Sequence, residues 1–209
     1  MRTYPIKIPK LLKSIFYKWI WAFNTTTKEV YLTFDDGPIP EITPWVVQLL
    51  AQYNAKATFF CIGDNIQKHP DVFKLLLDSH HKIGNHTFNH LKGWGCKPNK
   101  YIDNILKAEK FIPETSSKLF RPPYGKITLE QSKSLRTLGY KIVMWEILSA
   151  DFDTKTTTEK CTENVLKNIQ NGSIIVFHDS KKAFPRLKET LPKVLAKLHK
   201  KGYQFKTIG

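Results

Sequence analysis

The sequence predicts an α/β fold, with the strands of one parallel sheet joined by helices. Three observations point there. From Val30 onward, seven short apolar, β-rich runs alternate with six segments of helical periodicity, the pattern of strand–helix–strand units. No Gly/Ser-rich linker, low-complexity tract or repeat interrupts the 209 residues, a length that fits one domain. Polar clusters follow six of the runs, and the carboxyl ends of parallel strands are where such folds build sites. Right-handed crossovers can close the series into a seven-stranded (β/α) barrel or leave it an open doubly wound sheet.

Residues 1–27 read as a basic, apolar extension packing on a domain that spans 28–209. The extension carries Arg2, Lys7, Lys10, Lys13 and Lys18 and no acid. Lys18 breaks the apolar stretch and no A-x-A follows, so no cleaved signal peptide is expected. The stretch Ile15 to Phe23 is far shorter than the ~20 residues that span a bilayer, so no transmembrane helix is expected either. Leu11, Ile15, Trp19 and Ala22 share a helical face beside Leu12, Phe16, Ile20 and Phe23, which suits packing on the domain or lying at a membrane interface. The expected location is cytoplasmic or peripheral to a membrane.

The first run, Val30–Phe34, stops at Asp35-Asp36-Gly37-Pro38. Adjacent carboxylates at the end of a buried strand repel and need solvent, a partner or a cation; a plain Asp-Gly turn is the alternative. A helical pattern over 44–53 leads to the run ATFFCI from Ala57, after which Asp64 and Asn65 read as a cap or turn. The pattern over 71–79 leads to HKIGN from His81, followed by His86 and His90 at i and i+4. On one turn of helix that spacing puts both imidazoles on the same face, where neutral nitrogens bind a transition metal. A carboxylate from the Asp pair makes a two-His, one-Asp set suited to zinc or another divalent cation with open positions.

The pattern over 100–111 leads to KLFR from Lys118 and then RPPYG, Arg121 to Gly125. That turn holds a fixed positive charge on a stiff backbone, fit to orient a carboxylate or to aim an N–H at an oxyanion, unless it is only a loop. The pattern over 128–138 leads to KIVMW from Lys141, with Asp151 beyond it. The pattern over 158–169 leads to SIIVF from Ser173, and His178 and Asp179 come straight off its end, the histidine placed to act as a general acid. The last helix, over 184–201, precedes YQFKTI from Tyr203.

Composition narrows the partners. Hydrophobic residues make up 41% with only 10 Gly and 12 Pro, which excludes a disordered chain. Lys and Arg total 33 against 18 Asp and Glu, a net charge of +15 that attracts polyanions without naming one. The charge is spread along the chain, so a solvated basic surface is expected, with weak contact to a polyanion or membrane surface, no specific nucleic-acid partner and a monomeric state. Cys61, Cys96 and Cys161 are odd in number and far apart, so they offer neither a disulfide framework nor a zinc knuckle, and suit buried positions in a reducing compartment.

Taken in order, TFDDGP, HTFNH, RPPYG, WEILSADFD and VFHD resemble the NodB-type polysaccharide deacetylases, carbohydrate esterase family 4, from about Val30 to the C-terminus. The resemblance implies a distorted seven-stranded (β/α) barrel, TIM-barrel-like, and metal-dependent removal of N-acetyl groups from N-acetylglucosamine-containing glycans. Its alternatives are another N- or O-acetyl substrate such as acetylxylan, or a basic polyanion-binding protein on an inactive scaffold. The presence of every expected catalytic side chain weighs against the last. By resemblance Asp35 is the general base, Asp36, His86 and His90 hold zinc, cobalt or another divalent metal, and the Tyr124 N–H binds the oxyanion. His178 protonates the leaving amine, Arg121 orients Asp35, and Asp151 tunes the Arg121 and His178 side. Pro123, Tyr124, Gly125 and Trp94 are expected along the glycan, with Trp145 in the core. Phe152 and Val176 stand where many relatives have Trp and Leu and keep an apolar wall to the acetyl pocket. Connections between the site-bearing strand ends are short, which predicts a shallow, open cleft.

Overall fold

The computed structural model describes residues 4–114, 116 and 118–209; Arg2 of the basic extension lies outside the described residues. Eight strands form one sheet: β1 (Glu29–Asp35), β2 (Thr58–Cys61), β3 (Lys82–Asn85), β4 (Leu119–Phe120), β5 (Lys141–Ile142), β6 (Ile147–Leu148), β7 (Ile174–His178) and β8 (Gln204–Phe205). All their pairings are parallel, in the order β5-β4-β3-β2-β1-β7-β6, with β8 on β1 outside that path. The two ends of the path, β5 and β6, are consecutive in the chain with only residues 143–146 between them. One short stretch of chain, 141–148, therefore serves both edges, β5 bonded to β4 and β6 to β7, and the seven strands curl into a distorted barrel.

Two details differ from the sequence-based reading. The run KIVMW is a strand only over Lys141–Ile142, with an unanticipated further strand, β6, just after it, and the run from Tyr203 is not a barrel member. β1 is longer than β2, and its first residues Glu29 and Val30 extend beyond the β2 pairing, which starts at Thr33. That free edge is taken by Gln204 and Phe205.

The six expected helices appear within a turn of their expected limits, as α2 (Ile42–Ala51), α4 (Pro70–Asp78), α5 (Pro98–Glu109), α6 (Leu129–Thr137), α7 (Thr158–Leu166) and α8 (Phe184–Lys200). α8 buries Leu187, Leu191, Val194, Leu195 and Leu198, a spacing that puts one stripe against the sheet. Against it pack Leu32, Phe34, Ile175 and Phe177, the outward-facing residues of β1 and β7. Their alternates Thr33, Asp35, Val176 and His178 face the barrel interior. A short α3 (Gly63–Lys68) contains Asp64 and Asn65, which are thus inside a helix rather than capping one.

The N-terminal residues are helical only over α1 (Lys10–Ile15), so the longer helical face expected through Phe23 does not form. Leu11 and Ile15 are exposed, while Leu12, Phe16 and Trp19 pack with Ile8 and Trp21 on a cluster around Tyr101, Phe120 and Met144. Residues 20–22 run extended and bridge Val143 and Ser173. No helix among the described residues is long and apolar enough to cross a membrane.

Gly172 fastens this extension to the barrel. Its φ is +81° and an added Cβ would lie 1.8 Å from the Phe23 carbonyl oxygen, while the Phe23 N–H donates to the Gly172 carbonyl at 2.9 Å. Gly172→Ala is expected to cost about 2 kcal/mol from backbone strain and displacement of residues 22–24. A lower urea midpoint with an unchanged m-value checks it.

Candidate active site

β1 and β7 run in register so that Asp35 lies opposite His178 and Thr33 opposite Val176. Asp35 turns inward to Arg121, which is fully buried just after β4. The guanidinium donates from Nη1 to Asp35 Oδ1 at 2.7 Å and to Thr33 Oγ1 at 2.7 Å. Its Nε reaches the Val143 carbonyl at 3.2 Å and its Nη2 the Met144 carbonyl at 2.8 Å. The Phe60 ring lies over it, 4.1 Å from centroid to Cζ. Burial alone lowers the pKa of Arg121, and the Asp35 charge and hydrogen bond oppose that.

Asp36 leaves the strand through a left-handed backbone, φ +84°, which swings its side chain away from that of Asp35. Two residues that the sequence reading gave no such role hold this bend. Asn65 Nδ2 donates to the Asp36 carbonyl at 2.7 Å, and buried Asp179 accepts from the Gly37 N–H at 3.1 Å and from Thr43 Oγ1 at 2.6 Å. A Cβ on Gly37 would sit 2.1 Å from Asp179 Oδ2, so only glycine fits. Burial, with the nearby Asp36 charge adding and the Thr43 bond opposing, raises Asp179 to about 7.

His86 and His90 do not stand on a helical turn. They lie in the loop after β3, where Thr87 and His90 both have positive φ, +68° and +58°, and this bend brings the ring centroids to 5.1 Å. Each ring is held from behind. His86 Nδ1 lies 2.7 Å from the Arg121 carbonyl and must be its donor, which leaves the Nε2 lone pair free. His90 Nδ1 lies 3.1 Å from the Tyr124 hydroxyl. The two Nε2 atoms face Asp36 Oδ1, at 3.8 Å from His86 and 3.3 Å from His90.

The donor set fits a divalent cation. Asp36 Oδ1 is buried with no hydrogen-bond partner among the described residues, and one ligand atom from each of the three side chains falls within 4.8 Å of the others. Burial, helped by His90 and opposed by Asp36, lowers His86 to about 3, and burial lowers His90 against the pull of Asp36 and Asp35. The Nε2 lone pair of neutral His86, aimed at a carboxylate oxygen, repels it unless a cation lies between them.

His178 is held on the opposite side. Asp151 accepts its Nδ1–H at 2.7 Å and its backbone N–H at 2.8 Å. Burial works against the imidazolium, yet the charge and hydrogen bond of Asp151, with Asp36 and Asp35 adding, raise His178 to about 9. No hydrogen bond or ion pair joins Asp151 to Arg121, whose four hydrogen bonds go to Asp35, Thr33 and the carbonyls of Val143 and Met144. The Phe152 ring stands edge-on to His178 at 5.1 Å, and Val176 lies fully buried one layer beneath on the same face of β7. Tyr124, at φ +60° in the 3₁₀ turn Pro123–Gly125, is 62% exposed and presents its hydroxyl to His90; Trp94 is 54% exposed beyond it. Pro123 is buried in that turn, and Gly125 abuts Trp145 so closely that a Cβ would meet its ring at 2.7 Å.

The carboxyl rim of a curled parallel barrel thus carries a two-histidine, one-carboxylate cluster between two further charged pairs, the arrangement of a metal-assisted hydrolase. The sequence profile of the polysaccharide deacetylases matches residues 23–143. A peptidoglycan-N-acetylglucosamine deacetylase of Bacillus cereus is 37% identical over 192 residues, 90% of each chain. A chitooligosaccharide deacetylase of a Bradyrhizobium species is 32% identical over 73% of this chain and 71% of its own. The crystal structure of a peptidoglycan N-acetylglucosamine deacetylase in complex with 4-naphthalen-1-yl-N-oxidanyl-benzamide superposes with a TM-score of 0.88 at 32% identity, covering 96% of this chain and 95% of that one. This chain belongs to the polysaccharide deacetylase family.

Because Asp151 raises the pKa of His178, the stability their pair contributes is present below the unfolded value near 6.5 and is lost as pH rises through about 9. Asp151→Asn is therefore expected to lower the His178 pKa, read by NMR titration of the imidazole. The stability gap between this variant and the wild type should close above about pH 9.

Proposed function

We propose that this protein hydrolyses the N-acetyl group of N-acetylglucosamine-containing glycans, with Asp36, His86 and His90 holding a zinc ion. The observation that carries the reading is the pairing across one rung of the sheet: Asp35 bound to Arg121 faces His178 bound to Asp151, beside the histidine–aspartate cluster. The identities of the relatives as peptidoglycan and chitooligosaccharide deacetylases support the substrate class.

When bound, a divalent cation supplies Lewis acidity to the acetyl carbonyl and acidifies the attacking water. Asp35 Oδ1 is fixed by Arg121, and Oδ2 has no hydrogen bond among the described residues, so that oxygen takes the proton from water. The backbone N–H of Tyr124, on the rigid Pro122–Pro123 turn, stabilises the developing oxyanion. His178 keeps its Nδ1–H on Asp151 and delivers the Nε2 proton to the departing amine, which would otherwise leave as a strong base. Phe152, backed by buried Val176, closes the acetyl side with apolar surface, while the exposed faces of Trp94 and Tyr124 are open to sugar rings. The net charge of +15 supports weak, salt-sensitive contact of a monomer with a polyanion or anionic surface.

Dialysis against a chelator is expected to abolish acetate release from acetylated chitooligosaccharides, and zinc or cobalt to restore it. Asp36→Ala should lose the metal. Asp35→Asn, which keeps an acceptor for Arg121, and His178→Ala should retain the metal and lose turnover, the latter by roughly 10²- to 10⁴-fold. Metal analysis of the three variants alongside kcat tests the assignment, and equal metal loss in all three would overturn it.

A further inference from the structure

Next to the histidine–aspartate cluster lies a recess of about 510 Å³ lined by Asn89, His90, Leu91, Lys92, Tyr124 and Lys126. Its size suits part of a glycan, and His90 belongs both to this recess and to the cluster. The lining includes two lysines and no acid. Neither ammonium pairs with a carboxylate among the described residues; Lys126 lies over the Trp94 ring at 5.3 Å, and Lys92 is exposed.

The position of both lysines is fixed by the backbone. The Gly93 N–H donates to the Lys126 carbonyl at 3.0 Å, and Trp94 Nε1 donates to the Ile127 carbonyl at 3.1 Å. Gln131 Nε2 donates to the carbonyls of Gly93 at 2.9 Å and Cys96 at 3.1 Å, while its Oε1 completes the Thr128 capping box of α6. A Cβ at Gly93 would meet the Lys126 carbonyl at 2.5 Å, so glycine permits the close approach. Two strands of loop are thereby stitched together with an unneutralised cation on each.

We infer that this recess is a subsite for a carboxylate borne by a glycan ring adjoining the one whose acetamide reacts, with Lys92 and Lys126 as the residues that select it. The inference rests on the deacetylase reading. An anionic ring gains Coulomb attraction from two lysines that a neutral ring does not, and Trp94 and Tyr124 offer that ring a face to stack on. The protein would therefore prefer acidic acetylated glycans over neutral ones of equal length.

The test compares a peptide-free glycan of alternating N-acetylglucosamine and lactyl-ether sugars with the same glycan after methyl esterification of its carboxylates. Removing the peptide excludes the stem carboxylates as the source of any effect. For the wild-type holoenzyme kcat/KM is expected to be about tenfold higher for the acid, falling towards equality at about 0.5 M salt. Lys92→Ala and Lys126→Ala should each reduce the acid-to-ester ratio by up to about fivefold, and the double variant should bring it near one. A wild-type ratio of one, or a ratio unchanged in the double variant, overturns the subsite alone. Release of acetate from neither glycan overturns the deacetylase reading and the subsite with it.

Discussion

Arg121 is the side chain on which both the barrel and its rim depend. Between β5 on β4 and β6 on β7, the carbonyls of Val143 and Met144 drop out of the ladder, and Arg121 donates to these two oxygens. An unpaired buried carbonyl costs about 1–3 kcal/mol, so the split that closes the barrel is stable only with a donor inside it. A buried guanidinium in turn needs a counter-charge, and Asp35 at the end of β1 supplies it. Closure of the sheet and orientation of the proposed base are one electrostatic problem with one solution.

The same constraint explains why two aspartates stand side by side. Asp35 continues the alternation of β1 and must face inward to Arg121. Asp36 is freed from that alternation by its left-handed φ of +84° and points to the histidines instead. The repulsion between neighbouring carboxylates is relieved by sending each to a different partner. Asn65 and Asp179, from α3 and the end of β7, then hold the bend from both sides.

Much of this was legible in the sequence, for identifiable reasons. Strand–helix alternation is a local signal, and so is a charged residue directly after an apolar run, which is why the barrel and the cluster of Asp35, Asp36, His86, Arg121, Asp151 and His178 at its rim could be read. The convergence of His86 and His90 was anticipated on the wrong geometry. Their loop depends on positive φ at both Thr87 and His90, and Thr87 is a β-branched residue that rarely adopts it. The strand β6 was hidden because Glu146 ends the run from Lys141 and Ile147–Leu148 is too short a pair to mark a strand by itself. Asn65 and Asp179 act on residues 29 and 142 positions away in sequence, so no local pattern marks them.

The proposed division of proton-handling follows from the register. Asp35 and His178 occupy one rung of the β1–β7 pair, on strands about 4.8 Å apart, so their functional groups would share chemistry unless their surroundings separated them. Arg121 stands behind one and Asp151 behind the other. Arg121 fixes one Asp35 oxygen, while the buried carboxylate of Asp151 favours the protonated imidazole, and His178 rises to about 9 as a result. The different partners behind the two groups support one as the proposed base and the other as the proposed acid. In this barrel the proposed assignment draws on two buried partners delivered by β4 and by the chain after β6 to the same end of the sheet.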